Sequence, residues 1–367
     1  MKICFLAHAG SIHTRYWVRY FHDKGHQVSI VTLTPGSSEL GVDLYDLSTA
    51  RNASHERANW HYLIQLPRLW KIVRDIRPDI LNAHFLSSYG FLAALVCPHD
   101  CPLVTNLHGS DILVFPRRSK LHHLVTRFAL KRADLIISVA SHVTRMVSTY
   151  HIDNGPVVTM QYGVDTGRFF PPPMLKNSRP ICLSNRALVL VSNIETILSA
   201  ARKLQEVSSP LKIVIGGDGE QSDALKQRAA QLQIDKVVSF IGHIDHDNMP
   251  EALRSAAIYV SMSLSDGLSL SLMEAMACGV FPVVSDIPAN RELIKNGVNG
   301  YLVPVDSPEL LAQKLIDAWE NPQLRKVAAK YNWCLIRQKG DYEKNMSTIE
   351  KKLLDLVRQF RSGLRNK

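Results

Sequence analysis

Short apolar runs alternate with amphipathic stretches twice along this chain, and a proline-rich break separates the two series. In the first third, KICFLA is a short apolar run, HTRYWVRYFHDKG reads as a helix stopping at Gly25, and HQVSIVTL is the next strand. DILNAHF, PLVTNLHG and ADLIISVA follow as further strands, with helix-like stretches between them. This alternation predicts an α/β fold: a parallel sheet with helices on both faces. GVDTGRFFPPP, residues 163–173, breaks the pattern and reads as a linker. The rhythm then restarts with RPICLS, LKIVIGGDG, VVSFIGHI, AIYVSMS and FPVVSD as strands, and SNIETILSAARKLQEV and SDALKQRAAQLQ as helices. Two doubly wound domains in series are expected, over residues 1–170 and 178–337. A closing helix over 338–360 carries Met346, Ile349, Leu353, Val357 and Phe360 on one face and is expected to pack back on the first domain.

A length of 367 residues suits two cores better than one. The 46% hydrophobic and 21% charged fractions are those of a globular protein. The six cysteines are scattered and complete no zinc-type set, as expected of reduced thiols in the cytosol. The apolar N-terminus is too short for a signal-peptide core, and no run approaches a membrane span, so a cytoplasmic protein is expected. The net charge of +10 concentrates in residues 117–132, which hold six Lys or Arg, two His and no acid. Nucleic acid is not the expected partner, since no recognition motif accompanies the charge. Leu121, Leu124, Val125, Phe128 and Leu130 recur there near helical spacing, so one face is expected apolar and another cationic. Such a helix fits an anionic membrane surface, or a core-packed helix whose charges face water.

Residues 263–286, SLSDGLSLSLMEAMACGVFPVVSD, place Asp266 and Glu274 in an otherwise small and apolar stretch. The stretch lies just past a strand and feeds a helix, the position where doubly wound sheets bind ligands. Helix N-termini suit phosphate, Gly267 permits close approach of backbone, and the two carboxylates suit the hydroxyl groups of a sugar. Plainer alternatives exist for each acid. Ser271 to Glu274 spells a capping box, and Asp266-Gly267 is an ordinary turn pair.

The whole stretch resembles the family-4 (group 1) glycosyltransferases, whose GT-B fold sets two Rossmann-like domains facing each other across a cleft. IGGDGE, FIGHIDHDNMPEAL, NRELIKNGVNGYLV and YGVDTGRFFP resemble family segments in the expected order, and SIHTRYW, AHFLSSYGFLAAL and HGSDIL look like a bacterial polysaccharide-synthesis branch. The resemblance implies a donor substrate that is a nucleoside-diphosphate sugar, no cofactor and no metal. It implies that Glu274 binds the ribose, that Asp266 lies close to the donor sugar, and that backbone N–H groups of Gly267, Leu268 and Ser269 hold sugar and diphosphate. Arg186 matches the arginine that neutralises the leaving diphosphate, and Gly10 a glycine that faces the phosphates. His108 matches a histidine near the reacting centre, while backbone around His243 and Ile244 lies where the base is read. The implied partners are the nucleotide sugar and a glycan or lipid-linked glycan acceptor, at the inner face of the cytoplasmic membrane.

The sequence departs from the family pattern in three places. Asp266 stands for the usual glutamate, Ser269 for a glycine, and Val191 for a lysine at the diphosphate. Asp245-His246-Asp247 resembles the metal-binding D-x-D of the other glycosyltransferase fold, but Asp247 or Asn248 is expected to cap a helix there. The GGDGE glycines give only weak support for dinucleotide binding. Retaining sugar transfer is the leading reading. A nucleotide-sugar 2-epimerase of the same fold, and an inactive subunit that binds a partner, are the alternatives.

Overall fold

The computed structural model describes residues 1–36, 41–48, 60–152, 155–172 and 179–363. It divides into two compact units, Met1–Tyr162 with Lys344–Lys367, and Gly163–Glu343.

The first unit holds strands β1 (Lys2–Leu6), β2 (Gln27–Thr32), β3 (Asp43–Asp46), β4 (Ile80–His84), β5 (Leu103–Leu107), β6 (Leu135–Ser138) and β7 (Val157–Thr159). They form one sheet in the order β3-β2-β1-β4-β5-β6-β7, and every neighbouring pair is parallel. β4, β5 and β6 are buried along their whole length, as parallel strands covered on both faces must be. β3 carries Asp43 and Asp46 at the exposed edge, where charge discourages further pairing.

The second unit holds β8 (Ile181–Ser184), β9 (Lys212–Ile215), β10 (Val238–Phe240), β11 (Ile258–Ser261), β12 (Phe281–Ser285) and β13 (Tyr301–Val303). The order is β10-β9-β8-β11-β12-β13, again all parallel. Successive strand residues point to opposite faces. Cys182, Ile258, Val260 and Val283 therefore join one apolar cluster, and Leu183, Tyr259 and Val284 join another. In each sheet the chain first winds outward to one side and then returns to the centre to build the other. The reversal lies between β1 and β4 in the first unit and between β8 and β11 in the second. Loops leaving the carboxyl ends of those strands are the ones placed to bind a ligand.

The division between units falls at Tyr162–Gly163, upstream of the boundary at 170 that the triple proline suggests. Val164 bridges to Asp341, its N–H donating to the Gly340 carbonyl at 2.7 Å, and Phe169 is fully buried in the second unit's core. Gly163 has φ +101°, and a Cβ there would lie 2.6 Å from the Gly340 carbonyl oxygen, so this crossing admits only glycine. Pro173 and residues 174–177 of the expected linker lie outside the described residues. The expected helix over 338–360 is also redrawn. Residues 338 and 339 close the helix Pro322–Lys339, Gly340 and Asp341 interrupt, and a new helix runs Tyr342–Arg361. From Lys344 onward that helix belongs to the first unit. Met346, Ile349 and Leu353 are fully buried, Tyr20 donates its hydroxyl to Glu350 at 2.9 Å, and Arg361 pairs with Asp79 at 2.6 Å.

Candidate active site

At the reversal in the second unit, the loop after β8 and the loop after β11 lie side by side because their strands are neighbours. The first loop delivers Arg186 and the second delivers Asp266. Arg186 Nη2 meets Asp266 Oδ2 at 2.9 Å, and Nη1 donates to Ser269 Oγ at 3.0 Å. Burial opposes the guanidinium charge, but the Asp266 carboxylate outweighs it and holds the group above its ordinary pKa. Arg186 Nε is buried with no acceptor among the described residues. A fixed cation with a donor still unused fits an incoming anion.

Ser269 is the N-cap of the helix Leu270–Ala277, its Oγ accepting from the Leu272 N–H at 3.2 Å. The same oxygen accepts from Arg186, so the start of this helix and the arginine are locked together. Gly267 is buried, and Leu268 packs against the core as the loop enters the helix. Because Ser269 is the cap, the Ser271–Glu274 capping box does not form. Glu274 sits further along the helix, where its Oε1 meets His246 Nε2 at 3.2 Å. Burial pushes the Glu274 carboxyl above the ordinary range, while the hydrogen bond from His246 works to lower it.

The GGDGE turn has a structural task. A Cβ on Gly217 would overlap the Arg186 carbonyl oxygen, and one on Gly216 would overlap Ile244 Cδ1, so these glycines let three segments meet. Leu188 N–H donates to the Asp218 carbonyl at 2.9 Å, tying the Arg186 loop to this turn. Ile244 is half-buried against the core, and His243 is exposed beside it. Val191 forms a short turn with Leu190, and its carbonyl accepts from the Leu264 N–H at 2.9 Å. In Asp245-His246-Asp247, Asp247 pairs with Arg168 at 2.8 Å rather than capping a helix. Asn248 stands at the cap of Met249–Ser255, but its side chain makes no capping bond. Among the described residues no group of three or more His, Cys, Asp or Glu is placed to hold a metal ion.

Gly10 and His108 belong to the first unit, at the carboxyl ends of β1 and β5. Gly10 lies in a tight turn where the Ser11 N–H donates to the His8 carbonyl at 3.0 Å. His108 stacks on Phe85 with centroids 4.3 Å apart, and its Nε2 lies 3.2 Å from His84 Nδ1. Burial, with His13 and His84 nearby, holds His108 well below its ordinary pKa, and burial pushes His84 down to about 3. Both imidazoles are therefore neutral near pH 7. They can exchange hydrogen bonds with a hydroxyl but do not neutralise a phosphate. Asp111, which sequence reasoning passes over inside HGSD, fixes this loop. It accepts from the N–H groups of Leu86 and Gly109 at 2.9 Å and of His108 at 3.2 Å. The structure thus joins Arg186, Asp266 and Ser269 directly and gives Glu274 an unexpected partner in His246.

Comparison with known proteins shows the family and the fold. The pattern of the glycosyl transferases group 1 matches residues 167–332, and that of the glycosyl transferase 4-like family matches residues 2–140. A phosphatidyl-myo-inositol mannosyltransferase of Mycolicibacterium smegmatis is 30% identical over 352 residues, covering 88% of this chain and 86% of its own. The chain belongs to the group 1 glycosyltransferases. Its fold is GT-B. A sucrose-phosphate synthase from Thermosynechococcus elongatus superposes with a TM-score of 0.82 at 16% identity, covering 98% of this chain and 99% of its own. HepE of Anabaena, solved in complex with UDP-glucose, superposes with a TM-score of 0.75 at 18% identity and covers 99% of both chains. The Arg186–Ser269–Asp266 cluster lies at the reversal of the second sheet, the point of a doubly wound fold where a ligand is expected.

Proposed function

We propose that this glycosyltransferase moves a hexosyl group, with retention of anomeric configuration, from a nucleoside-diphosphate sugar to a lipid-linked or surface glycan. The observation that carries the reading is Arg186, held at the start of the helix Leu270–Ala277 with one N–H unused. Leaving diphosphate gathers negative charge, and a pre-set guanidinium beside a helix N-terminus stabilises that charge without rearrangement. Glu274 takes the ribose hydroxyls and Asp266 stands near the sugar. Within the first unit, neutral His108 is suited to hydrogen-bonding a hydroxyl. No cofactor is required. No metal is required either, because Arg186 supplies the charge a metal would bring, and His246 and Asp247 are engaged with Glu274 and Arg168. The UDP-glucose complex of HepE favours a nucleotide sugar as donor. The test is a thermal-shift screen against nucleotide sugars, followed by donor turnover with and without EDTA and by NMR of the product anomer. A stabilising donor, turnover that survives EDTA and a retained anomer are expected. A donor that stabilises but yields only its 2-epimer without acceptor rejects transfer.

Membrane docking is part of the same proposal. No helix among the described residues is long and apolar enough to cross a membrane. The helix Lys120–Arg132 buries Val125, Thr126, Ala129 and Leu130. Leu121, Leu124 and Phe128 are exposed, so the apolar residues divide between the core and the surface instead of forming one face. Arg117, Arg118, Lys120, Arg127 and Lys131 are exposed with them. Apolar side chains ringed by cations suit an anionic bilayer, where each near-surface cation contributes about 1 kcal/mol. Replacing Arg117, Arg118 and Lys120 together with Glu is expected to reduce sedimentation with phosphatidylglycerol vesicles and leave nucleotide binding intact. Unchanged sedimentation at low salt rejects this docking.

A further inference from the structure

We infer that Arg168 and His246 form a positioning relay that fixes the carboxylate of Glu274 and thereby sets how firmly the chain holds the ribose of a nucleoside diphosphate. The inference rests on the proposed ribose role of Glu274. Glutamate has three rotatable side-chain bonds, so a binding carboxylate must be held or its ordering opposes affinity. Among the described residues, the Glu274 carboxylate is held by Oε1 to His246 Nε2 at 3.2 Å. Which nitrogen of His246 bears the proton follows from the other side of the ring. Arg168 Nη1 lies 3.5 Å from Nδ1, and a guanidinium can only donate. Nδ1 therefore accepts, the proton resides on Nε2, and Nε2–H points at Glu274.

Arg168 is itself braced. Its Nη2 donates to the His246 carbonyl at 3.2 Å and to Asp247 Oδ1 at 2.8 Å, while its own carbonyl accepts from Arg254 Nη1 at 3.3 Å. The adjoining Phe169 is fully buried, and its ring lies 5.5 Å from the imidazole of His246. The imidazole thus has its plane set by a buried aromatic ring and its tautomer set by a cation. With Oε1 occupied in this way, Oε2 is the oxygen that would accept from a ligand hydroxyl.

The test uses the full chain and isothermal titration with UDP, GDP and ADP separately. The tightest of the three is then compared with its 2′,3′-dideoxy analogue. Wild type is expected to prefer the ribose form, and Glu274→Ala to abolish that preference. His246→Ala is expected to weaken the ribose form about tenfold and leave the dideoxy form unchanged. His246→Gln, whose amide N–H can still reach Glu274, is expected to recover most of the loss. Arg168→Gln, which removes the lock on the tautomer, is expected to fall between. The outcomes separate the two ideas. If none of the diphosphates binds, or if Glu274→Ala keeps the ribose preference, the ribose reading fails and takes the relay with it. If Glu274→Ala loses the preference while His246→Ala keeps it, the relay alone is overturned. Tighter binding by His246→Ala would make the imidazole a placeholder that ribose displaces, and would also overturn it.

Discussion

Replacing Arg186 with alanine is expected to lower turnover at saturating donor by about 10²- to 10³-fold, the usual loss when one pre-set charge-stabilising donor is removed. The residue leaves the carboxyl end of β8, and the neighbouring loop after β11 fixes its guanidinium at two points, Ser269 and Asp266. Neither contact spends Nε, so the group is organised and still unsatisfied. An interaction that strengthens only as the diphosphate departs appears in kcat rather than in KM. Val191 occupies the position where the family pattern has a lysine, so the arginine carries more of the charge and the loss should lie toward the upper end. Arg186→Lys keeps the charge but not the fork that reaches Ser269 and Asp266 together, and should fall between alanine and wild type. The alanine variant also removes the Arg186–Asp266 contact and is expected to melt earlier. Nucleoside diphosphate release and the melting temperature together check the expectation. A variant that melts early but turns over normally would make the Arg186–Asp266 pair a structural clamp and nothing more.

The strands that were legible in the sequence are those with continuous apolar runs, because burial on both faces of a parallel sheet demands such runs. β3, β7 and β13 escape this reading. Each lies at a sheet edge, and each is short or polar, as Asp43–Asp46 illustrates. The crossing near Gly163 was likewise hidden, since what defines it is a clash with the Gly340 carbonyl, a residue far away in sequence. At the candidate site, the family resemblance singles out Arg186, Asp266 and Glu274. Their contacts were not. Either Ser269 or Ser271 has the right chemistry to cap the helix, and only the path of the loop after β11 decides for Ser269. His246 is hidden because its neighbours Asp247 and Asn248 read as a helix cap, whereas its own partner lies far along the chain in the helix Leu270–Ala277. His84 meets His108 because β4 and β5 are adjacent, and that adjacency follows from strand order.

Glu274→Gln is expected to weaken binding of the nucleoside diphosphate by about 10- to 100-fold while holding or raising the melting temperature at pH 7. The first effect follows from the proposed ribose role of Glu274, whose charged acceptor becomes a neutral one, since hydrogen bonds to charged groups contribute about 1.5–3 kcal/mol. The second follows from the direction of the shift in Glu274. Burial raises its pKa in the folded chain, against the opposing contribution of His246. A carboxyl whose folded pKa lies above its unfolded value favours the fold while protonated. That contribution is complete below the unfolded pKa and disappears as pH rises through the folded one. Wherever the carboxyl is ionised in the folded chain it therefore works against stability, and glutamine, with an Oε1 that still accepts from His246, removes the burden. The difference in melting temperature between variant and wild type should narrow as pH falls through the raised folded pKa and be closed by about pH 4, below the unfolded value. Alanine should behave differently, since it deprives the His246 N–H of its acceptor and empties space in a buried helix face, lowering binding and stability together. If glutamine lowers the melting temperature at pH 7 as alanine does, the charge on Glu274 serves the fold. If it raises stability while binding fails, the charge is kept for the ligand, as residues held against the interest of the fold commonly are.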